Sequence, residues 1–200
     1  MNVFPSIEGP PGLDKVFKRF PNSVAPLLEY HHRLLRDPSP LTVAERELIA
    51  AYVSGLNSCT YCHGAHVVAA RAFGIDGAFF ETLLTDLESS GVDQRMKPLL
   101  AYVGKLTRTP AMMIQADADR VYAAGWDERA LFDAVSICGL FNLMNRIVEG
   151  SGIKSNPLEA DKAEMDARLA RMGGSTDDPH RGERSYTRLL ELWGLSGDGR

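Results

Sequence analysis

Strand signals are nearly absent from this chain. There is no run of alternating β-branched residues bounded by turns, and no Asn-Gly pair to close a hairpin. No stretch reaches 18 consecutive apolar residues, so no membrane span is expected. Lys and Arg are spread out rather than gathered into a block that would track a phosphate backbone, so nucleic acid is not an expected partner. Residues Met1 to Phe20 carry Glu8, Asp14, Lys15 and Lys18 among prolines and glycines. They lack a basic start followed by an apolar run, so a signal peptide is not expected. Cysteine is scarce and odd in number, with three residues, so a disulfide framework would always leave one over. Reduced thiols in a cytoplasmic protein fit better. Internal repeats and low-complexity segments are missing as well.

What is present is the makings of a helical core. The 200 residues are 44% apolar and 24% charged, with a net charge of −4. One all-helical domain over 1–200 is expected, with its core at about 20–155 and a helical extension over 156–193. The reading starts irregular, then places a helix from about Ser23, as N-cap, to Arg36, with Asp37-Pro38 as its stop. Thr42-Val43-Ala44-Glu45 has the form of a capping box and opens a helix to about Leu56. Asn57-Ser58 breaks it, and a second helix runs from about Cys59 to Phe73, ending at Gly74. Further helices are expected over Asp76–Glu88, Gln94–Thr107 and Gln115–Ala124. The segment from Asp127 to Gly150 is apolar nearly all round, which predicts a buried, central helix. A charged helix to about Met172, a polar loop over Gly173–Gly182 and an amphipathic helix over Ser185–Trp193 complete the reading.

Four residues carry the chemistry: Glu47, Cys59, Cys62 and His66. Cys62 and His66 are four apart and so stack on one helix face, with Ala69 and Phe73 continuing the stripe inward. Cys59 lies at the helix start, three residues before Cys62. Two sulfurs at that spacing reach disulfide distance with little backbone movement. The helix N-terminus favours a thiolate. A thiol of pKa about 8.5 is only about 3% ionised at pH 7, and lowering it by two units takes about 2.7 kcal/mol. The dipole supplies roughly 0.3–1 kcal/mol of that. An imidazole that takes the proton and stays as the ion partner has to supply the rest, and His66 has the spacing for it. Glu47 shares a helix face with Ala44, Ala51 and Ser54, a stripe of small side chains that lets another helix approach. A carboxylate there needs a partner, and His66 is expected to be it.

Glu47, eleven residues, Cys59-Thr60-Tyr61-Cys62, three residues, then His66 resembles the motif of the alkylhydroperoxidase D proteins, within the carboxymuconolactone decarboxylase-like superfamily. The segment Leu140-Phe141-Asn142-Leu143-Met144-Asn145-Arg146 resembles its uncharacterised peroxidase-related branch. The resemblance covers roughly residues 20 to 155. It implies an all-α, multi-helix bundle of about eight helices, a homo-oligomer (trimer or hexamer) and hydroperoxide reduction with a dithiol or a reducing protein as electron donor. It assigns Cys62 as the attacking thiolate, Cys59 as the resolving thiol, His66 as proton acceptor and Glu47 as the group that orients it. No metal or other cofactor is expected. The chain departs from the family at Tyr61, where the best-known members have a histidine; His63 falls on the other side of Cys62. Decarboxylase members lack the cysteine pair, which disfavours decarboxylation.

Blander readings stand beside these. The cysteines can be inert core thiols, His66 a satisfied core histidine and Glu47 a solvated helix residue. His63 and Tyr61 read as packing or pocket residues, and Cys138 as core. Asn142, Asn145 and Arg146 read as a structural hydrogen-bond network or an intersubunit contact ahead of a substrate role, and His31-His32 as surface. The charged run Glu159–Arg171 reads as a solvated or subunit-facing helix. The competing functions are a dithiol–disulfide oxidoreductase without peroxide specificity, a zinc module built on Cys59, Cys62, His63 and His66, and a non-catalytic helical interaction protein.

Overall fold

The computed structural model describes residues 3–75, 77–158 and 185–195. Nine α-helices lie among the described residues, with no strand. They are α1 (Leu13–Arg19), α2 (Val24–Arg36), α3 (Val43–Leu56), α4 (Thr60–Ala72), α5 (Phe80–Thr85), α6 (Met96–Arg108), α7 (Gln115–Ala123), α8 (Glu128–Gly150) and α9 (Tyr186–Leu192). The expected charged helix to Met172, the loop 173–182 and the run Glu159–Arg171 lie outside the described residues.

Local chemistry sets most of the helix ends. Thr42 Oγ1 accepts from the Glu45 amide at 3.2 Å, and Glu45 Oε2 accepts from the Thr42 amide at 2.7 Å, so the capping box opens α3 as expected. Asp127 caps α8 through the Ala130 amide, and Ser185 caps α9 through the Arg188 amide. Gly74, at φ +98°, ends α4. Ser23 precedes α2, but its hydroxyl makes no capping bond, and a 3₁₀ turn over Pro21–Ser23 leads in instead.

Two segments differ from expectation in helical extent. The irregular start contains α1, which buries Val16 and Phe17. The helix expected over Asp76–Glu88 shrinks to a 3₁₀ turn at Gly77–Phe79 and the short α5. Asp86 stops it: its Oδ1 accepts from the amides of Glu88 and Ser89, a local turn that competes with helix.

α3 is the innermost helix. Every residue from Arg46 to Ser54 is buried, and α4, α6 and α8 pack around it. α8, expected to be the central helix, buries one side and exposes Phe132 and Leu143 on the other. By length and composition α8 could cross a membrane, but one of its faces is packed into the bundle core. Arg46 answers a specific need here. Its guanidinium donates to the carbonyls of Leu34 (2.9 Å) and Asp37 (2.7 Å), closing the C-terminal end of α2. That bond fixes α2 against α3, and with it Arg36 against Glu47.

Candidate active site

The turn between α3 and α4 places the first cysteine. Ser58 adopts φ +56°, the left-handed region. The Ser58 amide donates to the Gly55 carbonyl at 2.9 Å, and the Cys59 amide to the Ser54 carbonyl at 3.0 Å. This is a Schellman ending of α3, with serine where glycine is usual. It delivers Cys59 directly to the N-cap of α4. Three side-chain hydrogen bonds pin the turn to α8. Asn57 Nδ2 donates to Asn142 Oδ1 (3.1 Å) and to Asn145 Oδ1 (2.9 Å), and Asn145 Nδ2 donates to Ser54 Oγ (3.0 Å). Asn142 and Asn145 therefore form a hydrogen-bond network within the chain. Arg146 bonds back to Asn142 on its own helix.

All three cysteines are free thiols and buried. Cys59 is hydrogen-bonded to Cys62, so the two share a proton and ionise as a pair. The hydrogen bond from Cys62 outweighs burial and lowers the Cys59 thiol below its ordinary range. The same bond, then burial, then the charge of a Cys59 thiolate push Cys62 up, against a hydrogen bond from Asn145. The first proton thus leaves the pair easily and the second is held hard. The Glu149 carboxylate, on the last turn of α8, raises both thiols. Cys138 is a core residue: burial raises its thiol, and Thr107 Oγ1 sits 3.2 Å from the sulfur.

Glu47 is fully buried and bonded on both oxygens. Oε1 accepts from Arg36 Nη1 at 2.6 Å and from the Tyr186 hydroxyl at 3.4 Å. Oε2 accepts from His66 Nδ1 at 2.6 Å. Burial pushes this carboxyl up, but the charges and hydrogen bonds of Arg36 and His66 win, holding it at about 2. Arg36 is itself held charged: burial lowers its pKa, and Glu47 more than offsets that. The guanidinium lies 5.0 Å from the ring centroids of both Phe73 and Tyr186. Because Nδ1 of His66 donates to a carboxylate, its Nε2 carries the lone pair in the neutral ring.

Cys62 and His66 line one cavity of about 320 Å³. Its remaining wall is mostly apolar, from α2 (Leu28), α8 (Phe141, Met144) and α9 (Leu189, Leu192), with Trp193 just beyond α9. Cys59 is not on that wall, so it sits behind Cys62. The structure brings Glu47 to His66 as expected, and puts His66 on the same wall as Cys62. It does not bring His66 to Cys62 by a hydrogen bond among the described residues; the thiol's bonds go to Cys59 and Asn145. Tyr61 also lines the cavity, whereas His63 turns away, its Nδ1 donating to the Ala51 carbonyl at 2.9 Å. Among the described residues, no three His, Cys, Asp or Glu side chains converge as metal ligands would, so the zinc reading has no geometry behind it.

Four residues of this site were missed from sequence. His31, expected at the surface, is 3% exposed and lines the cavity. The signal was present: Val24, Leu28, His31 and Leu35 repeat at helical spacing on one buried face. Arg36, Tyr186 and Glu149 had no local signal, because their partners lie on other elements.

Fold and site together define an all-helical protein with a buried Cys-x-x-Cys pair at the head of an internal helix and a Glu–His pair beside it. The model of the carboxymuconolactone decarboxylase family matches residues 21–101. An uncharacterized peroxidase-related protein from Silicibacter sp. TM1040 is 27% identical with a TM-score of 0.68, over 76% of this chain and 79% of that one. An uncharacterized peroxidase-related protein from Ralstonia eutropha JMP134, described as an alkylhydroperoxidase AhpD core, shares the fold at 23% identity and a TM-score of 0.66, over 70% of this chain and 74% of that one. No curated protein matches. Residues 21–101 thus resemble the carboxymuconolactone decarboxylase family, and the all-helical fold is that of the peroxidase-related structures.

Proposed function

We propose that the protein is a thiol-dependent hydroperoxide reductase. The observation that carries this reading is the placement of Cys62 on a small cavity, with Cys59 bonded behind it and the Glu47-held imidazole of His66 on the same wall. The pair loses one proton to the imidazole of His66, and the anion resides on Cys62 when the remaining proton, shared across the sulfur–sulfur hydrogen bond, sits on Cys59. Asn145 and the N-terminus of α4 stabilise that anion. The Cys62 thiolate attacks the terminal oxygen of the hydroperoxide and the O–O bond breaks. The alkoxide leaves with the electron pair and takes a proton from His66, while Cys62 becomes a sulfenic acid. Cys59 then attacks that sulfur, giving a disulfide and water. A small dithiol donor that enters the cavity restores both thiols by exchange.

Burial of both sulfurs argues against the reading as a general dithiol–disulfide oxidoreductase. Cys59 is 0% exposed and Cys62 4%, so a small molecule reaches Cys62 through the cavity while another protein's disulfide does not. A cytoplasmic setting would keep these thiols reduced between turnovers. We also take the protein to act as a homo-oligomer, trimer or hexamer. Phe132, Gly139 and Leu143 form one exposed face of α8, available to a second copy.

The test is hydroperoxide consumption with several dithiol donors. The parent should turn over and Cys62→Ser should not. Equal turnover by Cys62→Ser would remove the assignment.

A further inference from the structure

His31 is used by nothing in the reaction just described, yet it is one of the few polar groups on the cavity wall. Its Nδ1 donates to the Leu27 carbonyl at 2.8 Å, so the neutral ring carries its lone pair on Nε2. The ring is fixed edge-on to Phe141, centroids 5.9 Å apart, and against Tyr186 at 5.3 Å. Nε2 has no partner among the described residues. Every fully enclosed polar side-chain atom among them is bonded, so Nε2 is not sealed in the core, and the His31 ring lines the cavity. A buried acceptor left open costs about 1–3 kcal/mol unless a ligand or water meets it.

We propose that Nε2 of His31 orients the cavity's ligand: a molecule with an apolar body whose terminal O–H, of a hydroperoxide before reaction or of an alcohol, donates to that nitrogen. The catalytic half of this rests on the hydroperoxide reading above; the binding half does not. His66 cannot serve as the acceptor at the moment of attack. In that step it holds the proton destined for the leaving alkoxide, and a protonated ring only donates. His31 suits the task because burial holds its pKa down at about 4, so it stays neutral at working pH. With the O–H on Nε2, the terminal oxygen stays directed within the cavity that Cys62 lines. After attack that hydrogen remains on the sulfenic acid oxygen, and His31 neither gains nor loses a proton.

The experiment uses the reduced full-length protein, with benzyl alcohol and toluene as paired probes that differ by the hydroxyl. In nitrogen NMR of the imidazoles, benzyl alcohol should move the unprotonated nitrogen resonance of one histidine, and toluene should move none. His31→Phe should abolish that resonance and weaken benzyl alcohol binding about 5–10-fold by calorimetry, with toluene binding kept, as expected for one lost hydrogen bond. If benzyl alcohol does not bind the parent, or binds without moving a histidine nitrogen, or moves that of His66 instead, the proposal is wrong. Equal weakening of both probes in His31→Phe would likewise overturn it. If that variant does not fold, the NMR result on the parent decides alone, with the resonance assigned through His66→Asn. In turnover, His31→Phe should raise KM for an organic hydroperoxide several-fold with kcat little changed. A parent that binds benzyl alcohol through His31 but consumes no hydroperoxide would sink the peroxidase reading and leave this site standing. Cys62-dependent turnover with alcohol binding indifferent to His31 would do the reverse.

Discussion

Glu47 links stability to chemistry. A carboxylate with no solvent contact survives because three donors meet it, and Arg36 and His66 together outweigh the cost of burial. Its folded pKa of about 2, against 4.5 for the free group, corresponds to about 3 kcal/mol of stability. The unfolded chain binds the proton more tightly, so this contribution is complete above about pH 4.5 and disappears as pH falls through about 2. His31 acts in the same direction at higher pH. Its pKa is lowered from 6.5 to about 4, so stability falls as pH drops through that window and the ring is forced to charge. Denaturant titrations across pH should therefore show one loss between about 6.5 and 4 that His31→Phe removes. They should show a second between about 4.5 and 2 that Glu47→Gln removes, at a cost near 3–5 kcal/mol at neutral pH for the broken buried pair. Glu149 gives a separate prediction. Its charge raises both thiols, so Glu149→Gln should lower the first pKa of the cysteine pair in a thiolate absorbance titration. A rise would exclude that carboxylate as their neighbour. Glu47, Cys59, Cys62 and His66 were legible because helical spacing and one motif fix them. Arg36 and Tyr186 were not, since a buried charge reads as surface until its partner on another helix is known.

The Schellman turn at Ser58 is the element on which the cysteine pair rests. A non-glycine residue at φ +56° costs roughly 1–2 kcal/mol, partly offset by glycine's greater loss of chain entropy. Ser58→Gly should therefore stabilise the fold by about 0.5–1 kcal/mol in chemical denaturation without changing thiol reactivity. A destabilised variant would mean that the Ser58 side chain contributes more than the turn strain costs. α9 is the other decisive element. It packs on α2, and Trp193 meets Phe17 of α1 edge-on with centroids 6.0 Å apart. It closes the cavity with Leu189, Leu192 and Trp193. Trp193→Ala should speed modification of Cys62 by a bulky maleimide several-fold, and an unchanged rate would place reagent entry elsewhere. Caps such as Thr42, Asp127 and Ser185 made helix starts readable, because each bond closes within three residues. α1 is not legible because Pro10, Pro11 and Gly12 before it read as irregular, and α5 is shorter than its sequence pattern suggests because the Asp86 side chain closes a turn.

At the scale of the molecule, a bundle wrapped on α3 buries the chemistry and leaves one apolar face of α8 outside. If copies meet there, Phe132→Glu should reduce the assembly to smaller species in native mass spectrometry, with the helical circular dichroism unchanged. An unaltered assembly would move the contact to another face. The all-α class was readable from the absence of strand signals. The closing of the cavity by a helix some 120 residues beyond the cysteines was not, because no local pattern encodes that contact. The most direct test of the account is a single turnover without reductant. Reduced protein is mixed with a limiting small organic hydroperoxide, and the cysteines are mapped by mass spectrometry. The account predicts one Cys59–Cys62 disulfide formed per hydroperoxide consumed, and a sulfenic acid held at Cys62 in Cys59→Ser. Hydroperoxide that disappears while both thiols remain free, or oxidation that falls on Cys138 instead, would contradict it.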